Sequence, residues 1–451
     1  MLQEHCLCIA SGMLQEHCLC IASGMLQEHC LCIASGMLQE HCLPLHCLWN
    51  APASAAFSLK PPPPGTIATS KVLPMNFSTE AATAAAAASR AMDGQQIHDS
   101  VKDYYGKKLQ TSEDLQTDVA CTLPAKKPSK MIQDAMALIH PAIMSRYFGC
   151  GLVVPECLDG CSVLDLGSGS GRDCFLLGKL VGARGSVTGI DMTTEMIETG
   201  NAQVEYHRER FGYSKSNVNF VSGYLEELGE AGLGDNTFDI IVSNCVICLC
   251  PDKKLVLKEA HKVLKTGGEM YYSDMYASAV VPSDIKSDPC LWGEGMGGAM
   301  FWKDLIGVAR ALGFSRPYLV TASHITITNA DTCKKLGPLR YASGTYRMFK
   351  LPSEGTPPGP GARVTYLGSA PDCGDTLAFD HQHTFQRGEP VAVDAELATV
   401  IGTSRLAPHF SMELSEGAES CTGNADDSRM DPFSLAAQLG SCVSKCKPKS
   451  N

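Results

Sequence analysis

Apolar positions along this chain switch between two periods. From Cys161 onward, short apolar runs suited to strands buried on both faces fall at 162–167, 186–191, 218–223, 238–245 and 268–274. Stretches with helical spacing lie between and after them, at 172–182, 194–211, 253–265 and 301–313. Strand and helix in alternation build a parallel sheet covered by helices on both faces, so the predicted class is α/β, doubly wound and Rossmann-like. Two later runs, 318–328 and 344–350, read as a pair of last strands forming an antiparallel edge.

The flanks read differently. Residues 1–36 are three copies of MLQEHCLCIASG, followed by a diverging fourth. A perfect repeat of that length matches no solenoid period and carries no expected structure. Residues 50–92 are rich in Pro, Ala and Ser and bury too little apolar surface to fold. Order is expected to begin near Asp93, with a helix from Gln95 to Lys108 and another from Pro128 to Ser145 broken near Pro141. Pro352 to Arg363 reads as a linker, residues 363–415 as a small appended domain with strand-like runs at 363–367 and 390–393, and Asp431 opens a short helix. The expected organisation is a disordered extension (1–92), a main domain (93–351), and a small C-terminal domain with tail (352–451).

Composition narrows the picture. A net charge of −11 argues against a nucleic-acid partner, which needs a basic face. No apolar run reaches the roughly 18–20 residues that span a membrane. Of the 22 cysteines, eight fall in the first 47 residues and the other fourteen are scattered, which favours free thiols in a reducing compartment. A cytoplasmic monomer is expected, although Lys60, Lys71 and Arg90 among Ser and Thr resemble an organelle-targeting segment. The His5-Cys6-x-Cys8 copies offer too few well-spaced ligands for a metal site.

The chemistry gathers where the first strand ends. Val163, Leu164 and Leu166 precede Gly167-Ser168-Gly169-Ser170-Gly171, and a helix follows, so free N–H groups face a crevice at the strand's carboxyl end. The second strand ends in Asp191, about twenty positions past the last glycine, where a ribose-binding carboxylate belongs. A tight turn without a ligand explains the glycines alone but not the added acid. The GxGxG spacing, with Asp165 two residues before it, resembles motif I of the class I methyltransferases. That resemblance implies S-adenosylmethionine as cofactor, its ribose on Asp191, its methionine along Gly167–Gly171, and no metal cofactor. Leu225 and Glu226 are placed to cover and hydrogen-bond the adenine, unless they only open a solvated helix, and the resemblance adds Met192, next to Asp191, to the cofactor-binding residues. The fourth strand delivers Asn244, a candidate for the methionine end, and Cys245, facing either the transferable methyl or the core.

Several further blocks resemble the arsenite methyltransferases: Val101-x-x-Tyr104-Tyr105-Gly106, Asp114-Leu-Gln-Thr117, Arg146-Tyr-Phe-Gly-Cys150-Gly-Leu152, Val242-Ser-Asn-Cys245-Val246 and Leu291-Trp-Gly-Glu294. The resemblance implies that Cys121, Cys150 and Cys245 act on arsenic, with Cys150 and Cys245 as its ligands. It also implies arsenite or its thiol conjugates as substrate and glutathione or thioredoxin as reductant. A fourth cysteine belongs after Trp-Gly-Glu, but Gly295 stands there. The expected site therefore rests on Cys150 and Cys245 with a small thiol as third ligand; Cys290, Cys248 and Cys250 are possible stand-ins, Cys290 first. Two other readings compete. One is a methyltransferase of a small organic acceptor such as a quinone or sterol, which has no need of Cys150 and Cys245 together. The other is a thiol-rich arsenic-binding protein without turnover, against which the intact cofactor motif argues.

Overall fold

A computed structural model of the chain describes residues 92–109, 111, 114, 128–327, 329–352, 361–371, 373–414 and 427–440. The N-terminal repeat, the low-complexity tract, Cys121 and most of the expected linker lie outside them.

Five strands run parallel: β1 (Ser162–Leu166), β2 (Ser186–Asp191), β3 (Val218–Ser222), β4 (Phe238–Asn244) and β5 (Leu264–Ala277). A two-residue β6 (Met300–Phe301) adds to the end of β5. The sheet closes with β7 (Tyr318–His324) and β8 (Tyr341–Phe349), giving the order β3-β2-β1-β4-β5-β8-β7. Because β8 is antiparallel to both β5 and β7, the predicted antiparallel edge is present. The order reverses between β1 and β4, and a doubly wound sheet opens its ligand crevice at that point.

The central strands read as unbroken apolar runs because both of their faces are covered. Val163, Ile240 and Val242 face one core with Phe175 and Leu177. Their neighbours Leu164 and Ile241 face the other, with Val256, Leu257 and Leu305. Burying one such side chain is worth about 1.5–3 kcal/mol, so alternation along two strands feeds both layers at once.

Local chemistry sets the helix ends. Asp93 opens Gly94–Asp103 with a reciprocal capping box to Gln96, and Asp252 caps Lys253–Val263 through the Leu255 N–H at 2.9 Å. The expected helix 194–211 is two, Thr194–Asn201 and Val204–Phe211. Gly200 and Asn201, both weak helix formers, stand at the break. The helix 95–108 finishes in a π-turn, Tyr104–Lys108, and Pro141 starts a new short helix, Pro141–Met144. β5 begins earlier than expected, at Leu264. Its Thr266-Gly267-Gly268 looks like a break, but the chain passes through it as an irregularity against β4, with Gly267 at φ +76°.

The C-terminal segment packs on the far edge of the sheet. β9 (Ala362–Tyr366) lies between β12 (Pro390–Val393) and β13 (Phe410–Leu414), beside a hairpin of β10 (Thr376–Ala378) and β11 (Thr384–Gln386). Sequence reading anticipated β9 and β12 and missed the helix Ala395–Thr403. Tyr318 and Phe349 of the main sheet share an apolar cluster with Val364, Leu377, Phe379 and Val400. Beneath it Arg347, fully buried, donates to Glu269 at 2.6 Å and to the Phe379 carbonyl at 2.8 Å.

Candidate functional site

A cavity opens at the reversal point between β1 and β4. One wall is backbone. Gly167 takes φ +67°, and an added Cβ there would stand 2.4 Å from Val246 Cγ1, so the turn can only be glycine. Gly169 donates its N–H to Asp191 Oδ2 at 2.9 Å, and Thr193 donates to Oδ1 at 2.8 Å. Burial pushes the Asp191 carboxyl up, and these N–H donors hold it back. A side chain at Gly169 would meet nothing within 4 Å, so the loop is open toward the cavity. Asp165, buried under the turn, accepts from the Cys174 thiol at 3.1 Å and is pushed up by burial and by Asp173. Met192, Leu225 and Glu226 line the next stretch, where His98 Nε2 lies 3.4 Å from Glu226 Oε1. Gly171 does not reach the cavity. It turns the chain, at φ +94°, into the helix Arg172–Leu180.

The opposite wall is made of side chains. Asn244 ends β4, and its Oδ1 accepts from the N–H groups of Cys150 at 2.9 Å and Gly151 at 3.2 Å. Its Nδ2 donates to Tyr147, to the Gly151 carbonyl at 2.9 Å and to Asp173 at 2.9 Å. The amide clamps the 147–151 segment beneath the cavity, and Asn244 itself lines the cavity. Cys245 follows at φ +62°, a left-handed conformation that costs a non-glycine residue about 1–3 kcal/mol. Its N–H donates to the Ser273 carbonyl at 2.8 Å, which holds the strained residue in place. Its thiol lies within hydrogen-bonding reach of Cys150 and Cys248, and these two neighbours, with burial, push it well above the usual thiol range. Cys150 is buried just behind, its Sγ 3.4 Å from Ser273 Oγ.

Two aromatic blocks roof the thiols. Tyr105 and Phe148 line the cavity and meet edge to face at 5.5 Å. Tyr105 donates to the Gly293 carbonyl at 3.1 Å, Tyr104 donates to Glu294, and Trp292 Nε1 donates to the Leu249 carbonyl at 2.9 Å. The Trp292-Gly-Glu294 block thus ties the N-terminal helix to the turn that carries Cys245 and Cys248.

Comparison with known proteins places this arrangement. Residues 158–313 match a methyltransferase domain, and residues 360–451 match the arsenite methyltransferase C-terminal domain. The arsenite methyltransferase of Mus musculus is 50% identical over 72% of this chain and 85% of its own length. That of Homo sapiens is 44% identical over 79% of this chain and 96% of its own. The chain belongs to the arsenite methyltransferase family. The crystal structure of an arsenic(III) S-adenosylmethionine methyltransferase from Chlamydomonas reinhardtii superposes with a TM-score of 0.61 at 39% identity, covering 65% of this chain and 98% of that one. A demethylmenaquinone methyltransferase from Staphylococcus aureus matches only 24% of this chain.

Family membership carries S-adenosylmethionine with it, and the residues present suit that group. The open Gly169 turn, the Asp191 carboxylate, the apolar Met192 and Leu225, and the guanidinium of Arg146 line one continuous wall. Arg146, missed in the sequence reading, keeps a buried Nε without a partner. His98, Tyr105 and Phe148 were missed as well, although Arg146, Tyr105 and Phe148 sit inside blocks quoted for the family resemblance. Cys121 lies outside the described residues. Of the stand-in thiols, Cys290 is exposed, Cys250 donates to the Val246 carbonyl at 3.5 Å, and Cys248 is buried against Cys245.

Proposed function

We propose that this protein transfers methyl groups from S-adenosylmethionine to trivalent arsenic held by Cys150 and Cys245, giving methylated arsenicals. One observation carries the reading. Cys245 is strained into a left-handed conformation at the end of β4, on the cavity wall facing the glycine turn, with its sulfur against that of Cys150. Strain of this kind persists where the surrounding structure over-determines it, and it clusters at functional sites.

Bound along the glycine wall, S-adenosylmethionine supplies an electrophilic methyl on a sulfonium. The protein's own residues do the rest. Asp191 fixes the ribose and the Gly167–Gly169 turn the methionine, while Cys150 and Cys245 hold arsenic with its lone pair toward the cavity. Alignment at about 3–3.5 Å between reacting atoms is the main requirement. Tyr105 and Phe148 keep water off the thiols. Arsenic has no proton to lose, so no general base is needed, and the carboxylates nearby serve binding and packing. After transfer arsenic is pentavalent. Two thiolates give up one electron each and couple as a disulfide, arsenic returns to the trivalent state, and glutathione or thioredoxin reduces the disulfide. Among the described residues ten cysteines stand outside any disulfide, which suits a reducing, cytoplasmic setting.

Mass spectrometry of arsenic species tests the proposal, after incubation with arsenite, S-adenosylmethionine and glutathione. Mono- and dimethylated arsenicals are expected. A folded protein that binds S-adenosylmethionine and produces none would sink it.

A further inference from the structure

We propose that Cys248 is the third arsenic ligand, so that arsenite is held by Cys150, Cys245 and Cys248 without a sulfur from solution. The proposal rests on the reading of Cys150 and Cys245 given above, and it replaces the expected small-thiol ligand with a residue of the chain.

Cys245, at the centre, reaches the thiols of both Cys150 and Cys248. Ligand atoms of Cys245, Cys248 and Asp274 lie within 4.8 Å of one another. Trivalent arsenic takes three soft ligands, and Cys245 has a thiol on either side of it, with the harder Asp274 carboxylate as a further neighbour. Asp274 is already engaged by the backbone. Its Oδ2 accepts from the Cys248 N–H at 3.1 Å and its Oδ1 from the Met275 N–H at 2.6 Å. The carboxylate also accepts from the Cys248 thiol, so it positions both the backbone and the sulfur of that residue.

Gly295 makes room for this arrangement. It sits at φ +85°, and a Cβ added there would stand 3.1 Å from Cys248 Sγ and 3.3 Å from Met275 Cε. The sulfur of Cys248 thus occupies the space that a side chain at position 295 would enter. Cys248 delivers sulfur, from the opposite side, to the place that a side chain at 295 would reach. The loading step balances without redox chemistry: three As–O bonds of arsenite break, three As–S bonds form, and each thiol proton leaves with a hydroxide as water.

Arsenic-edge X-ray absorption of the full chain with arsenite and no added thiol counts the ligands. Three sulfurs are expected for the natural protein and for Cys290→Ser, whose side chain is exposed. Two sulfurs and one oxygen are expected for Cys248→Ser, together with at least a tenfold loss of arsenite affinity. About 10–100-fold is already typical when an outer-shell partner of a metal site is removed. Phenylarsine oxide, with only two free valences, should bind Cys248→Ser nearly as well as the natural protein. Alkylation footprinting of the natural protein needs no variant: arsenite should protect Cys150, Cys245 and Cys248 together. Two sulfurs in the natural protein, three in Cys248→Ser, or an unprotected Cys248 would each overturn the proposal. Equimolar zinc displacing arsenite would overturn it in favour of a metal site. Methylated arsenic formed on a two-sulfur site would sink this inference alone, and a three-sulfur site with no methylated product would sink the functional reading alone.

Discussion

The two walls of the cavity are built by different means. The glycine wall is local: β1, its turn and the end of β2 supply it within thirty residues, and its donors are mostly backbone N–H groups held by the sheet. The thiol wall is assembled from four distant segments, 104–105, 147–151, 244–248 and 292–295, tied by side-chain bonds from Asn244, Tyr104, Tyr105 and Trp292. Backbone written into a sheet tolerates little variation. A wall made of side chains can draw its sulfur from any element that reaches it, and Cys248 stands where a side chain at 295 would enter. The walls should therefore be separable by mutation, each failing without the other.

The largest expected effect is on the thiol wall. Cys245→Ser should abolish arsenic methylation while leaving S-adenosylmethionine affinity within about threefold, less than 1 kcal/mol. Calorimetry with the cofactor beside mass spectrometry of the products checks both halves. Loss of cofactor binding as well would mean that the walls are one unit.

The converse substitution is Asp191→Ala. Losing hydrogen bonds from a charged acceptor costs about 1.5–3 kcal/mol, or roughly 10–150-fold in cofactor affinity. Arsenite binding should be unchanged. Unchanged cofactor affinity in a folded variant would remove Asp191 from the pocket.

A smaller effect is expected at the seam. Tyr104 donates to Glu294, a buried acid, and its ring packs on Gly293. Tyr104→Phe keeps the ring and loses the donor, at a cost of about 1–3 kcal/mol for a buried group deprived of a partner. The loosened Trp292-Gly-Glu294 block should weaken arsenite binding more than cofactor binding. Equal weakening of the two would show that the block braces the whole cavity.

The same contrast decides what was legible in the sequence. Strand runs, the GxGxG turn and Asp191 are local patterns, and each lies where its spacing placed it. Asn244 was placed correctly at a strand end, but its amide serves the 147–151 segment, a contact across about ninety residues that no spacing encodes. Gly171 looked like its neighbouring glycines until Phe220 was found against it. Cys290 and Cys248 were equivalent as letters. An exposed helix position for one and a turn under Trp292 for the other set them apart. The helix Ala395–Thr403 was missed because it is apolar nearly all round, buried between β9, β13 and β5, and so lacks an amphipathic signature.

The finest test of the comparison is a proton count. Burial and neighbouring thiols hold Cys245 well above the ordinary thiol range. For Cys248, the Cys245 thiol pulls downward while burial and Asp274 push upward, leaving it at about 11. Both are therefore protonated at neutral pH. Arsenite is then an uncharged hydroxide, and each thiol that replaces a hydroxide releases water and no net proton. Binding through these two residues should be independent of pH between about 6 and 8. Were either a thiolate, replacing hydroxide would require a proton from solvent, and affinity would fall about tenfold per pH unit for each such group as pH rises. Calorimetry in buffers of different ionisation enthalpy measures proton uptake directly, and the expected value for these two sites is zero. An uptake near one proton would identify a thiolate in the free enzyme. The thiol wall would then be poised electrostatically, like the Asp191 side of the cavity, rather than by proximity of sulfur alone.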